Sequence, residues 1–299
     1  MKIAITGGTG FVGRELTDLL LHKGHEVFIL TRSKQGNTER GITYVQWLSE
    51  NANPEKQLEG VDAFVNLAGE SINNGRWTEL QKQKIYDSRM KTTDEVLRIL
   101  NALTVKPKVL VNASAIGIYP ASLSARYTEK NNEIGTDFLA RTVRDWELKA
   151  QGANKLQIRV AYGRFGIILG KSEGALPLMA LPYKLFVGGP VGTGDNWMSW
   201  VHVKDVAGAL LFAIENPING PFNLTAPHAK KMNDFGETLA AILKRPNYFP
   251  IPSFALKFAL GEKSQLVLEG QHVIPQVLLE EGYSFYFPNL ESALHDIYK

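Results

Sequence analysis

The chain predicts an α/β fold, a doubly wound parallel sheet with a second, smaller, mostly helical lobe. Three observations carry this. Short, continuously apolar runs alternate with amphipathic helical stretches through the first half. Runs of that kind are buried on both faces, which requires helices on both sides of a parallel sheet. The first run ends in glycines and opens straight into a helical pattern. Beyond Thr225 the spacing is helical but broken by Pro227, Pro246, Pro250, Pro252, Pro275 and Pro288, which marks a separate lobe.

The elements follow in order. Ile3 to Thr6 is a strand closed by glycines. Phe11, Leu16, Leu19, Leu20 and Leu21 then recur at helical spacing, and Gly24 ends that helix. Val27 to Leu30 is a second buried strand and Thr43 to Val45 a weak third. Ala63 to Leu67 and Val109 to Asn112 are stronger strands. Between them Thr78 to Leu103 reads as one long helix with Ile85, Met90, Val96, Leu97, Leu100 and Leu103 inward. Asp137 to Ala150 is another helix. Leu156 to Val160 and Phe165 to Leu169 look extended, Gly188 to Gly194 is a loop, and Asp205 caps a helix running to Ile214. Phe222 to Leu224 closes the sheet. The expected division is 1–170 with 200–225 for the sheet domain, and 171–199 with 226–299 for the small lobe.

Composition narrows the function. With 299 residues, 44% hydrophobic and 21% charged, the chain can bury a real core. Zero cysteines exclude a disulfide scaffold, a thiolate nucleophile and a cysteine metal site. Six histidines show no ligand spacing, so no metal is expected. Lys+Arg is 33 against Asp+Glu 30, a net charge of +3 with no basic tail, so nucleic acid is not an expected partner. No secretory leader and no span of ~20 apolar residues is visible, so the expected location is the cytoplasm without a membrane partner.

The run Gly7-Gly8-Thr9-Gly10-Phe11-Val12-Gly13 sits between the first strand and the first helix. In that context the glycines have separate tasks. Gly7 or Gly8 permits the tight turn, Gly10 lets the backbone approach a pyrophosphate, and Gly13 lets helix pack on strand. The helix N-terminus supplies free N–H groups and a positive dipole end. At the end of the second strand an NAD site would carry an acid. The chain has Thr31-Arg32-Ser33-Lys34 instead. Arg32 suits a 2′-phosphate, which points to NADP.

These residues resemble the short-chain dehydrogenase/reductase superfamily, on its extended, sugar-nucleotide epimerase side. The matching segments are 6–13, Asn66-Leu67-Ala68-Gly69, Ser114 and Trp200 to Ala207. A closer resemblance is to the atypical "epimerase family protein" branch. It rests on Ala68-Gly69-Glu70, Arg76-Trp77, Ser88-Arg89, Trp146-Glu147, Arg164 to Gly170, Gly188-Gly189-Pro190 and a C-terminal run ending in Gly282-Tyr283-Ser284-Phe285. The resemblance implies a Rossmann-like domain holding NADP(H). It implies cofactor contacts from Gly7, Thr9, Gly10, Phe11, Val12, Gly13, Thr31, Arg32, Leu67, Ala68, Gly69 and Ile167. Lys84 and Arg89, five apart on the long helix, are further candidates. Arg89 falls where the family's helix nears the cofactor, and its alternative is a surface ion pair.

The superfamily's Tyr and Lys, four apart on one helix, would fall near Leu139 and Val143, and neither can move a proton. Ser114 matches the superfamily's serine. Replacement acids are Glu70, which could equally be a ribose contact or a helix cap, and Tyr119, where the resemblance favours an aromatic for packing and substrate shaping. Two functions stay open. One is an NADP(H)-dependent epimerase or oxidoreductase acting on a small molecule, a sugar nucleotide or another carbonyl or hydroxyl compound. The other is a non-catalytic NADP(H)-binding redox-sensing or scaffold protein. A monomer or a homodimer fits either.

Overall fold

The structure, a computed structural model, describes residues 1–32 and 41–299. Seven parallel strands form the central sheet: β1 (Lys2–Thr6), β2 (Glu26–Thr31), β3 (Ile42–Gln46), β4 (Ala63–Asn66), β5 (Val109–Ala115), β6 (Arg159–Phe165) and β7 (Gly220–Leu224). Their spatial order is β7-β6-β5-β4-β1-β2-β3, so the order reverses at the β1/β4 junction. In open α/β sheets that reversal leaves a crevice at the carboxyl ends of the strands.

The main helices are α1 (Phe11–His22), α2 (Glu79–Ala102), α3 (Phe138–Ala150), α4 (Leu176–Lys184), α5 (Val203–Glu215), α6 (Met232–Leu243), α7 (Ser253–Leu260) and α8 (Leu290–Tyr298). Side chains alternate across the strands and build two cores. Ile3, Ile5, Val27, Ile29, Val65 and Val111 meet Leu16 and Leu20 of α1 and Val206 and Leu210 of α5. Ala4, Leu30, Phe64, Leu110 and Val160 point the other way, onto Val96, Ile99 and Leu100 of α2. Each fully buried branched side chain contributes about 1.5–3 kcal/mol, so the two layers fix the sheet firmly. A third core joins Leu176, Ala180 and Tyr183 of α4 to Trp200, Phe235 and Leu239, with Leu290, Leu294 and Ile297 of α8. No helix among the described residues is long and apolar enough to cross a membrane.

Three local expectations need correction. The stretch Leu156 to Val160 is not one strand. A 3-10 turn runs over Gln151–Leu156 and Gln157 takes a left-handed conformation, so the strand starts at Arg159. The run Phe165 to Leu169 breaks at Gly166, where a Cβ would sit 2.3 Å from the Ser199 carbonyl oxygen. Ile167–Leu169 therefore leaves the sheet and pairs with Trp200–His202. Asp205 does not cap its helix. His202 does, its Nδ1 accepting from the Lys204 N–H at 3.1 Å. The Asp205 carboxylate is taken by the chain's end, accepting from the backbone N–H groups of Tyr286 (2.7 Å) and Phe287 (2.9 Å).

Candidate functional site

The β1–α1 turn is fixed by close backbone contact. Gly7 has φ +68°, and a Cβ there would lie 2.9 Å from the Leu67 carbonyl. A Cβ on Gly13 would come within 2.2 Å of Gly7 O and 2.6 Å of Gly8 Cα. Only glycine fits either place. The Gly10 N–H donates to Gly7 O at 2.9 Å. Gly10 caps α1 without a side-chain hydrogen bond, so no side chain competes for the first amides of the helix. Thr9 and Gly10 are exposed, and Phe11 and Val12 are half-buried. Phe11 turns back against Gly170 and Gly174, in the loop that follows Ile167–Leu169. Arg14 donates to the Thr9 carbonyl at 2.6 Å and pairs with Glu173 of that loop.

Thr31 ends β2, and Arg32, the next residue, is exposed. Ser33 and Lys34 lie outside the described residues. On the other side, Thr6 Oγ1 donates to Asn66 Oδ1 (2.7 Å) and accepts from the Leu67 and Ala68 N–H groups (3.1 and 3.2 Å). Asn66 Nδ2 in turn donates to Asn112 Oδ1 at 2.7 Å, which ties the ends of β1, β4 and β5 into one buried chain. Gly69 is exposed, with Arg89 against it.

Arg89 is largely enclosed. Its Nη1 donates to the carbonyls of Ile85 (2.9 Å) and Glu70 (3.1 Å), and its guanidinium lies 5.1 Å from the Trp146 ring. Burial pushes its pKa down to about 10, partly opposed by the Glu70 charge. Lys84 is exposed one helical turn before Ser88, whose Oγ accepts from the Glu70 N–H at 2.9 Å. Glu70 caps no helix. Its carboxylate accepts from Asn74 Nδ2 at 2.8 Å, in the loop that follows β4.

At the β5–α3 junction, sequence reasoning missed the main feature. Ser114 donates to Glu147 Oε1 at 2.5 Å. Arg164, opposite Ser114 in register, binds both oxygens of Glu147, through Nε and Nη2 at 2.8 Å each. Arg164 Nη1 also donates to the Tyr119 hydroxyl at 2.8 Å. Such a two-pronged pair is strong and directional. Ser114 is only 2% exposed. The Ser114 hydroxyl is therefore engaged by Glu147. Tyr119 is enclosed as well. It is fully buried and stacked on Tyr127, and its hydroxyl lies within donating reach of Asn223 Oδ1 (3.0 Å) and the Thr128 carbonyl (3.1 Å). Burial raises its pKa, partly offset by Arg164. Leu139 and Val143 stand on α3 at four-residue steps before Glu147. Leu139 packs on Gly117, and Val143 is buried with Ile116, Ile118 and Tyr119. The signal for the pair was Glu147 and Arg164 standing in two separate motifs, each with no role attached.

The 70–78 loop is latched to the C-terminal lobe. Arg76 donates to the carbonyls of Phe258 (3.3 Å) and Ala259 (3.0 Å), Lys263 to those of Asn73 (2.6 Å) and Gly75 (3.3 Å), and Lys82 pairs with Glu262 at 2.8 Å. A cavity of about 550 Å³ lies in that lobe, between Val191 to Asn196 and the Ser253 to Glu269 segment. Among the described residues no group of three or more His, Asp or Glu is placed to hold a metal.

A parallel sheet with a glycine cradle at its switch point defines a dinucleotide-binding protein of the short-chain dehydrogenase/reductase type. The chain belongs to the NAD dependent epimerase/dehydratase family, whose model matches residues 3–225, and a domain of unknown function (DUF1731) matches residues 251–297. It is 47% identical over 298 residues to "Epimerase family protein YfhF" of Bacillus subtilis, covering 99% of this chain and 98% of that one. It is 43% identical over 297 residues to "Epimerase family protein SH2119" of Staphylococcus haemolyticus, with 99% and 98% coverage. Among solved structures, human epimerase family protein SDR39U1 (isoform 2) with NADPH superposes with a TM-score of 0.88 at 33% identity, covering 99% of both chains. A nucleoside-diphosphate sugar epimerase from Corynebacterium glutamicum gives 0.78 at 28% identity, covering 99% of this chain and 58% of that one.

Proposed function

We propose that this chain binds NADP(H) at the β1/β4 switch point and acts as an atypical short-chain dehydrogenase/reductase on a small carbonyl or hydroxyl compound, such as a sugar nucleotide. The observation that carries the reading is the cradle itself: a Cβ at Gly13 or Gly7 would fill the space that lets the turn close under the α1 amides. The α1 N-terminus (Phe11, Val12, Gly13) with Thr9 and Gly10 would hold the pyrophosphate. Thr31 and Arg32 would take the adenosine side, where the exposed guanidinium suits a 2′-phosphate. Leu67, Ala68, Gly69, Ile167 and Arg89 would line the remainder, with Lys84 at its margin. The bound human relative with NADPH supports the preference. When bound, the nicotinamide supplies hydride transfer.

The chain's own residues would orient substrate and handle one proton. Glu70 is the group best placed for the proton, since it lies in the loop beyond the carboxyl end of β4 and its carboxylate accepts from the Asn74 side chain. Ser114 and Tyr119 would instead hold that edge in shape through Glu147 and Arg164. In this reading residues 1–170 and 200–225 bind the cofactor, 171–199 and 226–299 supply the substrate side, and the protein is cytoplasmic, as monomer or homodimer.

A second reading, a non-catalytic NADP(H)-binding redox sensor or scaffold, is favoured by one observation: the positions for Tyr and Lys are filled by packed Leu139 and Val143. Cofactor titration followed by a substrate screen separates the two. The first expects NADPH consumption with at least one carbonyl or sugar-nucleotide compound, and a fall of about 10²-fold or more in Glu70→Gln. Tight NADPH binding with no turnover across the screen selects the second.

A further inference from the structure

The C-terminal lobe carries an exposed apolar surface on α7, the helix whose Phe258 and Ala259 carbonyls hold Arg76. Helix α7 has the sequence SFALKFAL, and not one of its residues is buried. Phe254 and Phe258, four apart and so on one face, are 76% and 87% exposed. The adjoining segment adds Tyr248 at 80% and Phe249 at 55%. It runs alongside the loop after α4, since the N–H groups of Tyr248 and Phe249 both donate to the Gly188 carbonyl (3.0 and 3.1 Å) and Ile251 N–H donates to Pro190 O at 2.8 Å. That loop presents Phe186, exposed and held in a left-handed conformation at φ +64°, with Arg245 stacked 4.4 Å from its ring. Aromatic side chains this far out of the surface, joined by backbone pairing into one region, mark an interaction face rather than scattered surface residues.

The charge around it selects the occupant. From Thr238 to Gly261 there is no acidic residue, while Lys244, Arg245 and Lys257 are all present and exposed; Glu262, the next acid, is paired with Lys82 at 2.8 Å. A second copy of this chain would set these cations against their own images in a two-fold interface, which is repulsive. The protruding rings with flanking cations have instead the chemistry of a helix lying in a membrane interface, its aromatic side among acyl chains and its cations at anionic headgroups. We propose that α7 and the Tyr248–Phe249 segment dock this protein on an anionic lipid bilayer surface. Surface docking needs no spanning segment, so the absence of a long apolar run, which led to the expectation of no membrane partner, does not bear on it. The proposal does not depend on the cofactor reading.

The test is co-sedimentation of the intact protein with phosphatidylcholine vesicles and with vesicles that also contain phosphatidylglycerol. Binding is expected to the second kind, falling as salt rises, with a loss of tenfold or more in F254S/F258S and a smaller loss in K257E. Both Phe side chains are exposed, so an unchanged thermal midpoint and an unchanged circular dichroism spectrum show that the variants are folded. No uptake by phosphatidylglycerol vesicles at low salt overturns the proposal, as does equal uptake of F254S/F258S. A dimer in light scattering that F254S/F258S dissolves, without vesicle uptake, assigns the face to a second copy instead.

Discussion

The β1–α1 turn and the β5–α3 junction lie on the same edge of the sheet, yet they hold to the family pattern to different degrees. At the turn every demanding position is met: Gly7 at positive φ, Gly13 against Gly7 O, and α1 opening without a side-chain cap. At the junction the scaffold is present and the proton-moving side chains are not. Leu139 and Val143 are packed, and Ser114 is tied into an ion pair with Glu147 and Arg164. The contrast teaches that cofactor binding and proton chemistry are separate investments of one fold. Backbone shape secures the first, while individual side chains secure the second, and a chain can keep one and reassign the other.

The largest effect is expected where the junction stores its strongest interaction. Glu147→Ala leaves the Arg164 guanidinium buried without its carboxylate, which costs about 3–5 kcal/mol of stability. Glu147→Leu with Arg164→Met together should cost less than Glu147→Ala alone, because no buried charge is stranded. Urea midpoints for the three proteins check this. A loss under about 1 kcal/mol for Glu147→Ala would show that the pair is solvated and that the junction is not organised around it.

Next come two glycine substitutions that set the regions against each other. Gly13→Ala drives a methyl into backbone at 2.2 Å, for about 3 kcal/mol and loss of NADPH binding. Gly117→Ala at the junction meets Leu139 Cβ at 3.5 Å, an ordinary contact, and should cost under about 1 kcal/mol. Calorimetry and NADPH titration on both variants read the difference. Similar costs would mean that the turn is no more constrained than the junction.

Arg32→Asp sharpens the cofactor side. It removes a charge-assisted bond to a 2′-phosphate and supplies a ribose acceptor, so NADPH affinity should fall ten- to a hundred-fold, about 1.4–2.7 kcal/mol, while NADH affinity rises. Equal affinities for the two cofactors in the unaltered protein would remove the argument.

What the sequence made legible follows from how local each signal is. The turn was readable because its glycines are contiguous and their reasons are backbone reasons. The strands of the first half were readable because burial on both faces leaves continuous apolar runs such as Ala63 to Leu67. The Glu147–Arg164 pair was not readable, because it joins residues 17 apart on a helix and a neighbouring strand and nothing local marks either as buried. Asp205 misled for a similar reason. Its place in the first turn of α5 looked like a cap, but its partners are Tyr286 and Phe287, some eighty residues on. The break at Gly166 depends on the Ser199 carbonyl, again a contact made only in the fold.

The smallest expected effect is the most informative about chemistry. In Ser114→Ala the hydroxyl that donates to Glu147 disappears, but both Glu147 oxygens keep their bonds to Arg164. No buried acceptor is orphaned, so the cost should be about 1 kcal/mol, the worth of one ordinary hydrogen bond. NADPH affinity should not change, since Ser114 is buried and its hydroxyl is held in the pair. Turnover, once a substrate is found, should fall less than in Glu70→Gln, because a serine held by Glu147 only steadies the edge of the sheet. Kinetics on Ser114→Ala, Glu70→Gln and Tyr119→Phe in parallel decide the matter. A drop on the order of 10³-fold in Ser114→Ala with little change in the other two would mean that the Ser114 hydroxyl swings out to the substrate during turnover. The junction would then perform the ordinary chemistry of its superfamily with a different partner, and its contrast with the turn would narrow to two side chains on α3.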